Sequence, residues 1–260
     1  MLMFVCPHEW SVSSAYDPRV NMPAPDVEPL FSAVTPILFP DHDGHATGFY
    51  FVDDNDDDYL ITNYHVVSSG ENVPASETIR VLTRPSRNIT EFQFHDIPLK
   101  NGGDPAWCEH SRGSKVDLVA IPISFDTEPT ETVALHSGLF PDQGTMPITQ
   151  SATIIGYPML EKAPFLPLLR DASIASPYGT TYRDSPCFAT DANMHSGTSG
   201  SPVFTLPTST ARVGDMLGQE LNLIGVHSAT LFSGHAPEEG ALDLNIGWYI
   251  QLLADIVEIN

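Results

Sequence analysis

The chain has 260 residues, 33 of them acidic and 11 basic, for a formal net charge of -22. That length supports one large domain or two small ones, with a core that needs no stabilising cofactor. The charge excludes nucleic acid and anionic membrane surfaces as partners at moderate salt. Lysine is confined to Lys100, Lys115 and Lys162. An acidic, lysine-poor balance resembles that of proteins from salt-loving organisms, where salt screens self-repulsion, although an ordinary acidic protein carries the same signature. Cys6, Cys108 and Cys187 are odd in number and sparse, so free thiols are expected; no CxxC pair or ligand-spaced histidine cluster points to zinc. The opening lacks a basic start followed by a long apolar run, and no stretch reaches about 18 uninterrupted apolar residues, which sets a cytoplasmic, soluble protein as the expectation.

Residues 1–30 carry Pro7, Pro18, Pro23, Pro25 and Pro29 with little periodicity and read as an extended arm. From Phe31 onward, short apolar, β-branched or aromatic runs alternate with Gly, Pro, Asp and Asn, the pattern of an all-β fold. The expected strands are Ala33–Leu38, Thr47–Val52, Tyr59–Thr62, Thr78–Leu82, Glu91–Ile97 and Val116–Ile121, making a first unit over 31–123. After a Pro-, Thr-, Asp- and Gly-rich connection at 124–150 come Ala152–Ile155, Arg170–Ala175, Cys187–Thr190, Pro202–Thr205, Leu221–Ser228 and Asp243–Ile246, making a second unit over 151–260. One helix is expected, Trp248–Glu258, where Tyr249, Leu252, Leu253, Ile256 and Val257 repeat at helical spacing. The acidic run Asp53–Asp58 reads as a solvated hairpin turn; it lacks the turn glycine of a calcium loop.

Chemistry concentrates in Asp191–Phe204, where Ser199 sits inside Gly197-Thr-Ser-Gly-Ser-Pro between two strand-like segments. A serine hydroxyl needs a base to take its proton and donors to hold an oxyanion. A tight glycine turn supplies such donors from its own backbone, here the N–H groups of Gly197 and Ser199. Leu60-Ile-Thr-Asn-Tyr-His65 places a histidine directly after an apolar strand, and Lys115-Val-Asp117-Leu-Val-Ala-Ile places a carboxylate at the mouth of another. Taken singly, each has a plainer account: a turn, a surface histidine, a strand cap.

Together with Thr47-Gly-Phe-Tyr-Phe, Ile154-Ile-Gly-Tyr-Pro and Leu223-Ile-Gly-Val-His-Ser, these motifs resemble the trypsin-like peptidase superfamily, in particular its HtrA-type branch and stand-alone prokaryotic relatives. The resemblance runs from Phe31 to the C-terminus and is specific as a combination. It implies two six-stranded antiparallel β-barrels of the chymotrypsin kind, followed by the C-terminal helix. The triad, in family order, would be His65 and Asp117 from the first barrel and Ser199 from the second. It also implies a serine endopeptidase acting on protein or peptide substrate without a cofactor or metal, and without the PDZ domain HtrA proteins usually carry. Thr198 stands where digestive trypsins have an acidic residue, so activation by burial of a new N-terminus is not expected. Ser201 replaces the second glycine after the nucleophile, as in glutamyl endopeptidases.

By the same resemblance, Asn193, Met194 and His195 on one side and His227, Ser228 and Ala229 on the other would wall the primary specificity pocket. No acidic residue occupies its expected base, so the expectation is a small-to-medium apolar or polar side chain rather than Arg or Lys. His227 stands where glutamyl endopeptidases use a histidine, whereas Met194 replaces their hydroxyl; a strand histidine satisfied by a neighbour is an equal account of His227. His8, His42, His45, His95, His110, His136 and His235 lie in loop-like sequence without ligand spacing. Two other classes stay open: a catalytically silent or gated module that binds peptides, and an esterase-like hydrolase. The second conflicts with the α/β-hydrolase order, in which histidine comes last.

Overall fold

This computed structural model of the chain describes residues 29–85, 88, 90–125, 133–141, 146, 150–160, 163, 165–205, 221–232 and 241–259. Nearly all of the expected N-terminal arm lies outside those residues, with Cys6 and His8, as do His235 and much of the expected connection at 124–150. β-branched and aromatic runs form strands at all twelve expected places, with ends shifted by a few residues. The first six are β1 (Val34–Leu38), β2 (His45–Val52), β3 (Asp58–Thr62), β4 (Thr78–Thr83), β5 (Gln93–Pro98) and β6 (Val119–Pro122). The second six are β7 (Ser151–Gly156), β8 (Leu168–Ser173), β9 (Cys187–Thr190), β10 (Pro202–Thr205), β11 (Asn222–Phe232) and β12 (Ala241–Tyr249).

These strands form two curled antiparallel half-barrels, ordered β6-β3-β2-β1-β4-β5 and β8-β7-β10-β11-β12-β9. Leu135–His136 adds a short parallel piece beside β2, and Cys108–Glu109 extends the first sheet beyond β6. An antiparallel bridge between Ile174 and Thr190 brings the free edges of β8 and β9 together. The architecture is the chymotrypsin-like double barrel the sequence resemblance implies.

Adjacent residues on many strands enter different apolar clusters, which is why those strands read as continuous apolar runs rather than as a clean alternation. Leu60, Val119 and Ile121 fill the interior of the first sheet, and Ile154, Val203 and Ile224 that of the second. Their neighbours Ile61, Ala120, Ile155, Phe204 and Leu223 join a third cluster made by both halves. Each fully buried side chain of this kind contributes about 1.5–3 kcal/mol. The two half-barrels therefore share part of their core.

The C-terminal helix is shorter than expected. Trp248 and Tyr249 belong to β12, paired with Cys187 and Gly225, so ladder pairing overrides the helical periodicity there. What remains is a six-residue 3-10 helix, Ile250–Asp255. Ile250 and Leu253 are buried, a spacing that suits three residues per turn.

Candidate active site

Register brings the first two candidate side chains together. Thr62 at the end of β3 pairs with Val119 at the start of β6, so the residues just after Thr62 lie beside those just before Val119. After Thr62 the chain turns at Asn63 into the short helix Tyr64–Val67, which carries His65. Asp117 precedes β6, in a tight turn where the Leu118 N–H donates to the Val116 carbonyl at 2.9 Å. Asn63 Nδ2 donates to the Asp117 carbonyl at 2.8 Å, locking the two segments.

Three donors converge on the Asp117 carboxylate. Oδ1 accepts from the His65 backbone N–H at 2.8 Å, and Oδ2 meets His65 Nδ1 at 2.7 Å. Oδ2 also accepts from the Ser228 hydroxyl. Burial works to raise the Asp117 pKa, but the imidazole, the Ser228 hydroxyl and the His65 N–H outweigh it and hold the carboxyl below its ordinary range. An ionised carboxylate can only accept, so the proton sits on Nδ1 and leaves Nε2 of the neutral ring with its lone pair. For His65, burial pulls the pKa down, and the bond and charge of Asp117 more than reverse it.

The second half of the site is backbone. Ser199 lies three residues before β10, between Gly197 at φ +91° and Gly200 at φ +87°. Those values favour glycine, and there is no room for a side chain either. A Cβ on Gly197 would stand 2.1 Å from His45 Nε2 and 2.5 Å from the Tyr157 carbonyl oxygen. The N–H groups of Thr198, Gly200 and Ser201 bond to the carbonyls of His195, His227 and Thr198. Those of Gly197 and Ser199 have no protein acceptor among the described residues. Two N–H groups are thus left over beside the serine.

One residue ties the halves together. Pairing of Pro202 with Val226 sets His227 and Ser228 against the turn, and Ser228 then bonds to both halves. Its hydroxyl reaches Asp117, and its carbonyl accepts from Ser199 Oγ at 3.0 Å. Asp117 and Ser199 therefore both bond Ser228, and His65 joins them through Asp117.

Of the other residues expected at the pocket, Asn193, His195 and Ala229 are exposed, while Met194 packs into the second-barrel core. His227 is 3% exposed and its Nδ1 has no partner among the described residues. Burial, reinforced by the charge of His65, pushes its pKa down to about 4. Ser228 turns its hydroxyl to Asp117 instead of presenting it to a side chain.

Sequence reading missed two residues here. His45 is no loop histidine: it opens β2, and its Nε2 lies 3.1 Å from the Tyr157 carbonyl. Thr47 bonds directly to the serine turn. Their signal was the position of β2 in the motif set, not their own residue types.

Residues 46–210, more than half of the chain, match the model of the trypsin-like peptidase domain. No curated protein matches the sequence. Among solved structures, the chain is similar to a serine endoprotease from Yersinia pestis, with a TM-score of 0.52 and 14% identity, over 86% of this chain and 61% of that one. It is also similar to Deg5, with a TM-score of 0.52 and 18% identity, over 86% of each chain. The chain thus spans about three fifths of the length of the Yersinia protein.

Proposed function

The chain belongs to the trypsin-like peptidase family, and from that premise we propose that it is a serine endopeptidase with His65, Asp117 and Ser199 as its triad. The observation that carries this reading is Ser228, which bonds the candidate nucleophile through its carbonyl and the candidate orienting carboxylate through its hydroxyl. Proteins or peptides are the substrate.

In the proposed reaction, Ser199 leaves the Ser228 carbonyl and gives its proton to His65 Nε2 as Oγ attacks the peptide carbonyl carbon. Asp117 holds the imidazole in the required tautomer and stabilises the imidazolium. The carbonyl oxygen becomes an oxyanion that accepts from the N–H groups of Gly197 and Ser199. His65 then protonates the leaving amine, the C–N bond breaks, and water repeats the sequence on the acyl-enzyme. Asn193, His195 and Ala229 would line the specificity pocket near its opening, with Met194 and His227 behind them. None of these is acidic, which favours a small-to-medium apolar or polar side chain at the cleaved position.

A gated form of the same module is the second reading, favoured by the resting bond from Ser199 to Ser228. Labelling with a fluorophosphonate, alongside turnover of a mixed peptide library, separates the two. The endopeptidase reading expects covalent labelling of the wild type, none of Ser199→Ala, and a loss of turnover in that variant of roughly 10⁴-fold or more. A folded wild type that neither labels nor cleaves would put the peptide-binding module first.

A further inference from the structure

We propose that Thr47 is the positioning residue for the oxyanion donors, a clamp from the first barrel on the serine turn of the second. The inference rests on the endopeptidase reading above. Thr47 lies in β2 and is fully buried. Its N–H donates to the Ser199 carbonyl at 2.8 Å, and its hydroxyl donates to the Gly197 carbonyl at 2.8 Å. The same hydroxyl accepts from the Tyr157 N–H at 2.9 Å. Its own carbonyl accepts from the Thr62 hydroxyl at 2.8 Å, which anchors the clamp to β3.

Peptide units are planar, so holding a carbonyl also aims the N–H at the other end of the unit. Gly197 C=O shares a unit with Thr198 N–H, and Ser199 C=O shares one with Gly200 N–H. Both N–H groups are bonded in turn, to His195 and His227. The units on either side of Thr198–Ser199 are thus held at both ends, which leaves the Ser199 N–H a single direction. The Gly197 N–H is separated from its clamped carbonyl only by that residue's own two torsions, one of them at φ +91°. The opposite wall is Tyr157, whose carbonyl occupies the space a Cβ on Gly197 would need. The two N–H groups without a protein acceptor among the described residues are the ones this arrangement aims.

The position needs a hydroxyl because it must donate to one carbonyl and accept from one N–H at once. Serine keeps both functions. Valine, of nearly the same shape, keeps neither and leaves two buried backbone groups unpaired. An oxyanion exists only during the reaction, so misaimed donors lower kcat and leave KM in place.

The experiment compares wild type, Thr47→Ser, Thr47→Val and Thr62→Val, with kcat normalised to the fluorophosphonate-reactive fraction and KM measured in parallel. Thr47→Val is expected to lose about 10- to 100-fold in kcat, less than the roughly 10²–10³-fold cost of removing an oxyanion donor outright because the donors stay present but misaimed, with KM changed less than about threefold. Thr47→Ser is expected to restore kcat to within about threefold of wild type. A Thr47→Val enzyme with a lower reactive fraction but wild-type kcat per reactive site would overturn the clamp and show a purely structural role. Should Thr47→Val not fold, Thr62→Val carries the test: a fall in kcat at constant KM supports the clamp, and wild-type kcat overturns it. A wild type that neither labels nor turns over removes the endopeptidase reading itself, and this inference with it.

Discussion

On the first barrel's side of the site, the His65 side chain is 49% exposed and its Nδ1 meets an ionised carboxylate at 2.7 Å. On the second barrel's side, His227 is 3% exposed and its Nδ1 meets no partner among the described residues. The first has its pKa raised, because Asp117 more than offsets the cost of burial. The second has its pKa lowered to about 4, because nothing offsets that cost and the charge of His65 adds to it. One ring is held more ready to take a proton than a free imidazole; the other is kept neutral. A carboxylate neighbour, and not depth alone, decides which histidine can serve as a base.

The sharpest way to break this contrast is Asp117→Asn, which makes the surroundings of His65 like those of His227. Burial then acts without its counterweight, so the His65 pKa falls, and the amide no longer enforces the tautomer with Nε2 free. The expected loss in kcat is about 10⁴-fold, the scale seen for this change in the chymotrypsin template. Steady-state kinetics check the rate and an NMR titration checks the imidazole. A loss below tenfold would mean that Asp117 does not orient the base.

His227 predicts an effect on stability instead. Its folded pKa of about 4 lies below the ordinary 6.5, so between those values the unfolded chain binds a proton that the folded chain refuses. The stabilising contribution is present above pH 6.5 and is lost as the pH falls toward about 4, amounting to about 3 kcal/mol over the window. Urea unfolding of wild type and His227→Gln at pH 7 and pH 4 checks this. The variant should lose less stability on acidification by that amount, and an identical loss in both proteins would remove His227 as the cause.

The parts of this contrast legible in the sequence were those carried by local pattern. β3 and β6 announce themselves as apolar runs, one ending three residues before His65 and the other beginning two residues after Asp117, and Gly197 and Gly200 announce a turn around Ser199. What stayed hidden depends on pairing between distant segments. Ser228 bonds Asp117 across 111 positions, and Thr47 bonds Gly197 across 150; neither residue type signals such a partner. The same blindness misplaced the C-terminal helix, because helical spacing in Tyr249–Val257 is visible locally and the pairing of Tyr249 with Gly225 is not. Local pattern likewise left His45 as a loop histidine, whereas β2 presses it against the Gly197 turn, and it placed His227 at the specificity pocket without showing that β11 buries it.

Ser228 gives the smallest expected effect and the finest test of the contrast, because it stands next to His227 in sequence yet acts on the partner of His65. Its hydroxyl shares Oδ2 of Asp117 with the imidazole, drawing negative charge away from the ring. Removing it in Ser228→Ala leaves the carboxylate more basic toward His65, so the His65 pKa rises further and the acidic limb of the kcat/KM profile moves to higher pH. One charge-assisted hydrogen bond is lost while the ring keeps its own, which limits the fall in kcat to roughly threefold to tenfold. A pH-rate profile distinguishes this from a pocket role. A residue that only contacted substrate would change KM and leave the limb where it was, whereas a shifted limb at constant KM places Ser228 in the electrostatics of the base.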